Sequence, residues 1–136
     1  MRFDTKIAVV VRADLEVWQK LNVACFLSGG IVGASPEVVG APYRDGSGTL
    51  YGPMIRQPVM VFEASADELM RTRARALSRD LTISIFTHDL FATGNDDDNR
   101  AAVAAVSADD LDLVGLAMHA DRKLVDKVTK GLALHR

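Results

Sequence analysis

Along the chain the first unbroken apolar run is Ile7-Ala8-Val9-Val10-Val11, closed by polar Lys6 and Arg12. Five apolar residues without alternation predict a strand covered on both faces, because a half-exposed strand would alternate. From residue 15 to about 34 apolar positions recur with helical spacing, and Asp14 stands where an N-cap belongs. Gly29 and Gly30 cost roughly 1 kcal/mol each inside a helix, so they are expected near its end, at a break, or where backbones approach closely. Residues 42–53, rich in glycine, read as a loop or loose hairpin anchored by Tyr43 and Tyr51. A second strand follows at 58–63, with Val59-Met60-Val61-Phe62 as its apolar run. The next helix spans 66–79, with Ser65 and Glu68 in the relation of a capping box. A third strand is expected at 81–86, a loop at 87–94, a helix at 95–106 and a turn at 107–110. The fourth strand is expected at 111–118. Asp121 then caps a last helix that runs to about 130 and stops at Gly131, and residues 132–134 are expected to pack back on the body. The alternation of strands and helices predicts an α/β fold. It is a three-layer α/β/α arrangement with a four-stranded mixed, mostly parallel sheet, in one domain over residues 1–136.

Composition narrows this picture only a little. At 136 residues and 49 % hydrophobic content, the chain buries a core without staples. No apolar run approaches the roughly 20 residues that span a bilayer, and Met1 to Asp4 leads directly into the first strand, leaving no signal peptide. The single cysteine, Cys25, forms no internal disulfide and reads as a small hydrophobe in an apolar helix. These features predict a cytoplasmic protein without membrane contact. A net charge of −2 makes RNA an unexpected partner. Arginines 71, 73, 75 and 79 form a basic cluster, and aspartates crowd residues 96–112; both read first as solvated surface.

His88, His119 and His135 are too scattered for a metal site, and Asp96, Asp97 and Asp98 lack the calcium-loop spacing, so no metal is expected. Gly46 and Gly48 are not at a strand-to-helix junction and no Walker lysine follows them, so no cofactor is expected. The tract 87–100 concentrates the polar chemistry. His88 and Asp89 lie just past a strand end, where α/β proteins place ligand-facing groups and where a carboxylate orients an imidazole for proton transfer. Thr87, Asn99 and Arg100 belong to the same tract. Arg12 and Asp14 leave the first strand, and Asp14 reads equally as cap or site residue. If the first and third strands are parallel, Arg12, Asp14 and Lys20 gather with Thr87, His88 and Asp89 in one pocket.

The opening Lys6-Ile7-Ala8-Val9-Val10-Val11-Arg12-Ala13-Asp14-Leu15 resembles the first strand and helix start of type II peptidyl-tRNA hydrolases. Residues 59–69 and the closing Leu124-Val125-Asp126-Lys127-Val128-Thr129-Lys130-Gly131 resemble that family too. Trp18-Gln19-Lys20-Leu21-Asn22-Val23-Ala24 and the tract 87–100 resemble more closely an uncharacterised bacterial family, domain of unknown function 2000, of the same superfamily. The resemblance implies a peptidyl-tRNA hydrolase II-like fold, assembled as a homodimer or higher homo-oligomer. The hydrolases use a lysine and a histidine of the first helix and an acidic loop after the third strand. Here the lysine falls one place late, at Lys20, and the histidine position falls at Ser28. The loop aspartate falls on Thr87, or on Asp89 with an insertion, and the arginine-threonine-glutamine that continues the loop is missing.

Two functions follow from these residues. One is a non-catalytic oligomer that binds a small molecule or a partner in the cleft at the ends of strands one and three, without efficient peptidyl-tRNA cleavage. The other is a hydrolase of an ester or related bond. In that case Asp89 or His88 is the general base, Lys20 or Arg12 stabilises the oxyanion, and Thr87 positions the substrate.

Overall fold

A computed structural model describes residues 2–136; Met1, the start of the expected leaderless lead-in, lies outside them. The central strand is β1 (Thr5–Arg12). Its residues from Ile7 to Val11 are buried because helices cover both sides. Ile7, Val9 and Val11 face the helix α1 (Val17–Ala34), which contributes Val23, Leu27 and Ile31. Ala8 and Val10 face α2 (Ala66–Ser78) and α4 (Arg122–Val128), which contribute Leu69, Ala76, Val125 and Val128. The apolar run without alternation is thus the middle of three layers.

The sheet has five strands rather than four, and antiparallel pairing dominates. Its order is β5-β6-β1-β4-β7. Among the described residues only β1 and β4 (Val59–Ala64) pair in parallel. The strand β6 (Leu113–Asp121) runs antiparallel to β1 and to β5 (Ser84–Thr87). The expectation of a mostly parallel sheet fails at the helix α3 (Asp96–Ala104). A crossover helix needs an apolar face to lie on the sheet. No residue of α3 is buried, so the chain stays at one rim and β6 returns beside β5 as in a wide hairpin. The fifth strand is β7 (Ala133–Leu134), formed where residues 132–134 were expected only to pack back. Gly131, at φ 89°, turns the chain so that β7 pairs with the outer edge of β4.

The helix α1 passes through Gly29 and Gly30 without a break. Gly30 lies against β5, where a Cβ would stand 2.6 Å from Ser84 Oγ. On the sheet side Gly115 admits the same helix: a Cβ there would stand 2.4 Å from Val23 Cγ1. At Gly30 this close approach offsets the propensity cost, whereas a Cβ at Gly29 would meet nothing within 4 Å. At the start of α1, Glu16 replaces Asp14 as the cap residue, and its N–H donates to Gln19 Oε1 at 3.0 Å. Cys25 is exposed, not buried as expected. It lies on the side of α1 turned away from the residues that meet the sheet. The capping box of α2 is as expected, with Ser65 N donating to Glu68 Oε1 and Glu68 N to Ser65 Oγ. Between α1 and β4 a short hairpin joins β2 (Tyr43–Arg44) to β3 (Leu50–Tyr51), and the Tyr51 hydroxyl donates to Asp45 at 2.8 Å.

Candidate functional site

One rim of the sheet collects the exits of β1, β4 and β5 and the entry of β6. This follows from the pairing: a parallel neighbour and two successive antiparallel steps all bring those ends together. Arg12 holds the middle of the rim. Its Nε donates to Asp14 Oδ1 and its Nη1 to Asp112 Oδ1, each at 2.7 Å. Burial pulls the guanidinium pKa down, but the hydrogen bonds to Asp14 and Asp112 outweigh it and leave the group above its ordinary value. Asp112 also ties in the next exit, because its carbonyl accepts the His88 N–H at 2.9 Å. Beside it Thr87 is buried, and its hydroxyl has no hydrogen-bond partner among the described residues.

A cleft of about 400 Å³ opens beside Arg12, between the exits of β1 and β4. Asp14, Glu63, Ser65, Glu68 and Gly131 complete most of its wall. Glu68 is held below the ordinary carboxylate range, first by the Ser65 backbone N–H and further by the Ser65 hydroxyl and the charge of Arg71. Behind Glu63 the Lys20 Nζ lies 3.1 Å from His135 Nε2, and Glu63 Oε2 lies 4.0 Å from the same nitrogen. An ammonium only donates, so His135 Nε2 accepts from it, and Nδ1 carries the proton towards the Arg136 carbonyl at 2.8 Å.

The residues expected to share one pocket are therefore divided. Arg12 and Asp14 line the cleft. Thr87 and His88 lie across β6 from Arg12, two strand spacings or about 9.5 Å away. His88 is exposed and meets the edge of Phe91, with ring centroids 5.3 Å apart. Phe91 in turn packs on Trp18 and Phe86, whereas Lys20 turns to His135. Asp89 is exposed and forms no ion pair among the described residues. Asn99 accepts from the Thr93 hydroxyl, and Arg100 pairs with Asp96 and Asp97. Both line a separate groove of about 580 Å³ between α1 and β5, walled by Phe26, Phe86 and Leu90. At the opposite rim His119 joins Ser35 and Thr5, at 3.0 and 2.9 Å. The Gln57 amide also donates to Thr5 Oγ1, so the imidazole, the two hydroxyls and the amide form one hydrogen-bonded network.

Sequence reasoning missed four members of the cleft region. Glu63 ends an apolar strand and Ser65 and Glu68 read only as a helix cap. His135 reaches Lys20 only because β7 forms, for which two residues give no signal. Among the described residues no helix is long and apolar enough to cross a membrane.

The sequence matches the model of a family described as protein of unknown function (DUF2000) over residues 5–136. A protein of unknown function from Agrobacterium tumefaciens strain C58 has a similar solved structure, at 49 % identity and a TM-score of 0.96, covering 99 % of this chain and 100 % of that one. No curated protein matches.

Proposed function

The chain belongs to the DUF2000 family of proteins of unknown function, and from that premise we propose that it binds a small, amine-bearing ligand in the cleft beside Arg12. The observation that carries this reading is the charge of the wall. Arg12 is already neutralised by Asp14 and Asp112, so Glu63 and Glu68 leave the cleft a net acceptor of positive charge. The C-terminal ends of parallel strands are also where open α/β sheets bind ligands. On this reading the scaffold is peptidyl-tRNA hydrolase II-like but the molecule is not an efficient peptidyl-tRNA hydrolase. The separation of Lys20 from His88 and Asp89 supports that: the base, cation and substrate-positioning groups that peptidyl-tRNA cleavage would draw from these residues do not share one reacting centre. The lone Cys25 fits a reducing cytoplasm. The outer face of α1 supports assembly of two copies, with Val17, Trp18, Leu21 and Phe26 all more than half exposed.

A second reading, hydrolysis of an ester or related bond, is favoured by one contact alone. The His135 imidazole, beside Glu63 and Lys20, is a base next to a cation. Two experiments decide between them. An NMR titration with ethanolamine is expected to shift the amides of Glu63, Ala64 and Ser65 saturably, with Glu63→Gln weakening binding by about tenfold. Peptidyl-tRNA turnover is expected to be absent. Turnover abolished by Asp89→Asn or by His135→Ala would overturn the binding reading, as would an amine that leaves those amides unmoved.

A further inference from the structure

A smaller cavity of about 180 Å³ adjoins the cleft and shares Glu68 and Gly131 with it. Arg71, Arg75 and Lys130 line it, together with Thr72 and Leu132. None of the three cations forms an ion pair among the described residues. Arg71 and Arg75 are one helical turn apart on α2, a spacing at which like charges destabilise a helix. Arg75 Nη1 donates to the Lys130 carbonyl at 3.1 Å, which anchors its guanidinium against the turn after α4 and leaves its other donors free. Three cations against the one carboxylate of Glu68, which already feels the charge of Arg71, leave this concavity net positive beside an acidic one, a bipolar surface.

We propose that this basic cavity is the phosphate subsite of the cleft, so that the ligand is a small phosphate monoester carrying an amine. The inference rests on the binding reading above for the amine end only. Two guanidinium forks match the oxygens of a phosphate, and Lys130 adds a point charge. The amine then lies towards Glu63, and Glu68 stands between the two ends. Opposite charges at the two ends of one ligand meet opposite charges at the two ends of one groove.

NMR titrations of the intact protein with inorganic phosphate, ethanolamine and phosphoethanolamine test this. Phosphate is expected to shift the Thr72, Gly131 and Leu132 amides saturably. Arg71→Gln, which removes no hydrogen bond within the protein, is expected to weaken that binding by about tenfold. Arg73→Gln lies outside the cavity and is expected to leave it within about twofold. Phosphoethanolamine is expected to bind more tightly than either fragment. No saturable shift with phosphate, or equal loss in Arg71→Gln and Arg73→Gln, removes the subsite even if ethanolamine still binds. Phosphoethanolamine no tighter than phosphate removes the link to the cleft. Phosphate bound through Arg71 while ethanolamine fails to bind upholds the anion subsite and sinks the amine reading instead.

Discussion

Single atoms decide how close α1 lies to the sheet. At Gly115 a methyl group would meet Val23, Leu27 and the Val10 carbonyl, with the first contact at 2.4 Å. Gly115→Ala is therefore expected to lower stability by about 1–3 kcal/mol in urea unfolding. Gly29 is the control, because a Cβ there meets nothing within 4 Å. Gly29→Ala is expected to raise stability by roughly 0.5–1 kcal/mol through helix propensity alone. If both variants destabilise equally, the close-approach account is wrong. The glycine pair was legible in the sequence as a constraint, but not which member carries it, since that depends on the face turned to Ser84. Asp14 shows the same limit. Its type fits a cap and a site equally, and only the position of Arg12 shows that the carboxylate is already engaged. Cys25 sits in an apolar run, Val23 to Leu27, and period alone does not say which side of such a run meets the sheet.

Elements were legible where local chemistry closes on itself. The Ser65–Glu68 box is such a case: both partners are within one turn, so no tertiary knowledge is needed. Ser65→Ala is expected to cost about 1 kcal/mol. The box also sets a pH dependence. The folded-state pKa of Glu68 is lowered, so its contribution is complete above the unfolded-state value and is lost as pH falls through the folded one. Glu68→Gln keeps an acceptor for the Ser65 N–H but has no charge to lose. Its stability deficit against the parent is expected to be largest near neutral pH and to shrink on acidification to about pH 3, as followed by urea midpoints. A deficit that grows on acidification would reverse the sign. Elements failed to be legible where pairing decides them. The helix α3 has the composition of a helix but lacks a face to bury, and that missing face makes β6 antiparallel. The two residues of β7 hold no period at all; they become a strand because β4 offers an unpaired edge.

At the scale of the whole molecule, the fold leaves one helix with apolar groups on both sides. Residues that α1 does not turn to the sheet include Val17, exposed to 71 %, Leu21 to 62 % and Trp18 to 57 %. Among the residues of α1 only Lys20 is charged, and it turns to His135. An interface about a two-fold axis sets each patch against itself, so a charged patch repels its own copy whereas a neutral apolar patch does not. On the proposed assembly this exposed apolar surface is the contact, and a second copy is the occupant that such self-matching favours. Sedimentation is expected to find a dimer at tens of micromolar. Leu21→Lys, which places like charges opposite one another across the axis, is expected to give a monomer with unchanged far-ultraviolet circular dichroism. A parent protein that sediments as a monomer under the same conditions would refute the interface. A dimer indifferent to Leu21→Lys would move it off α1. Neither result would touch the rim, because the cleft beside Arg12 opens between β1 and β4 and draws no residue from α1.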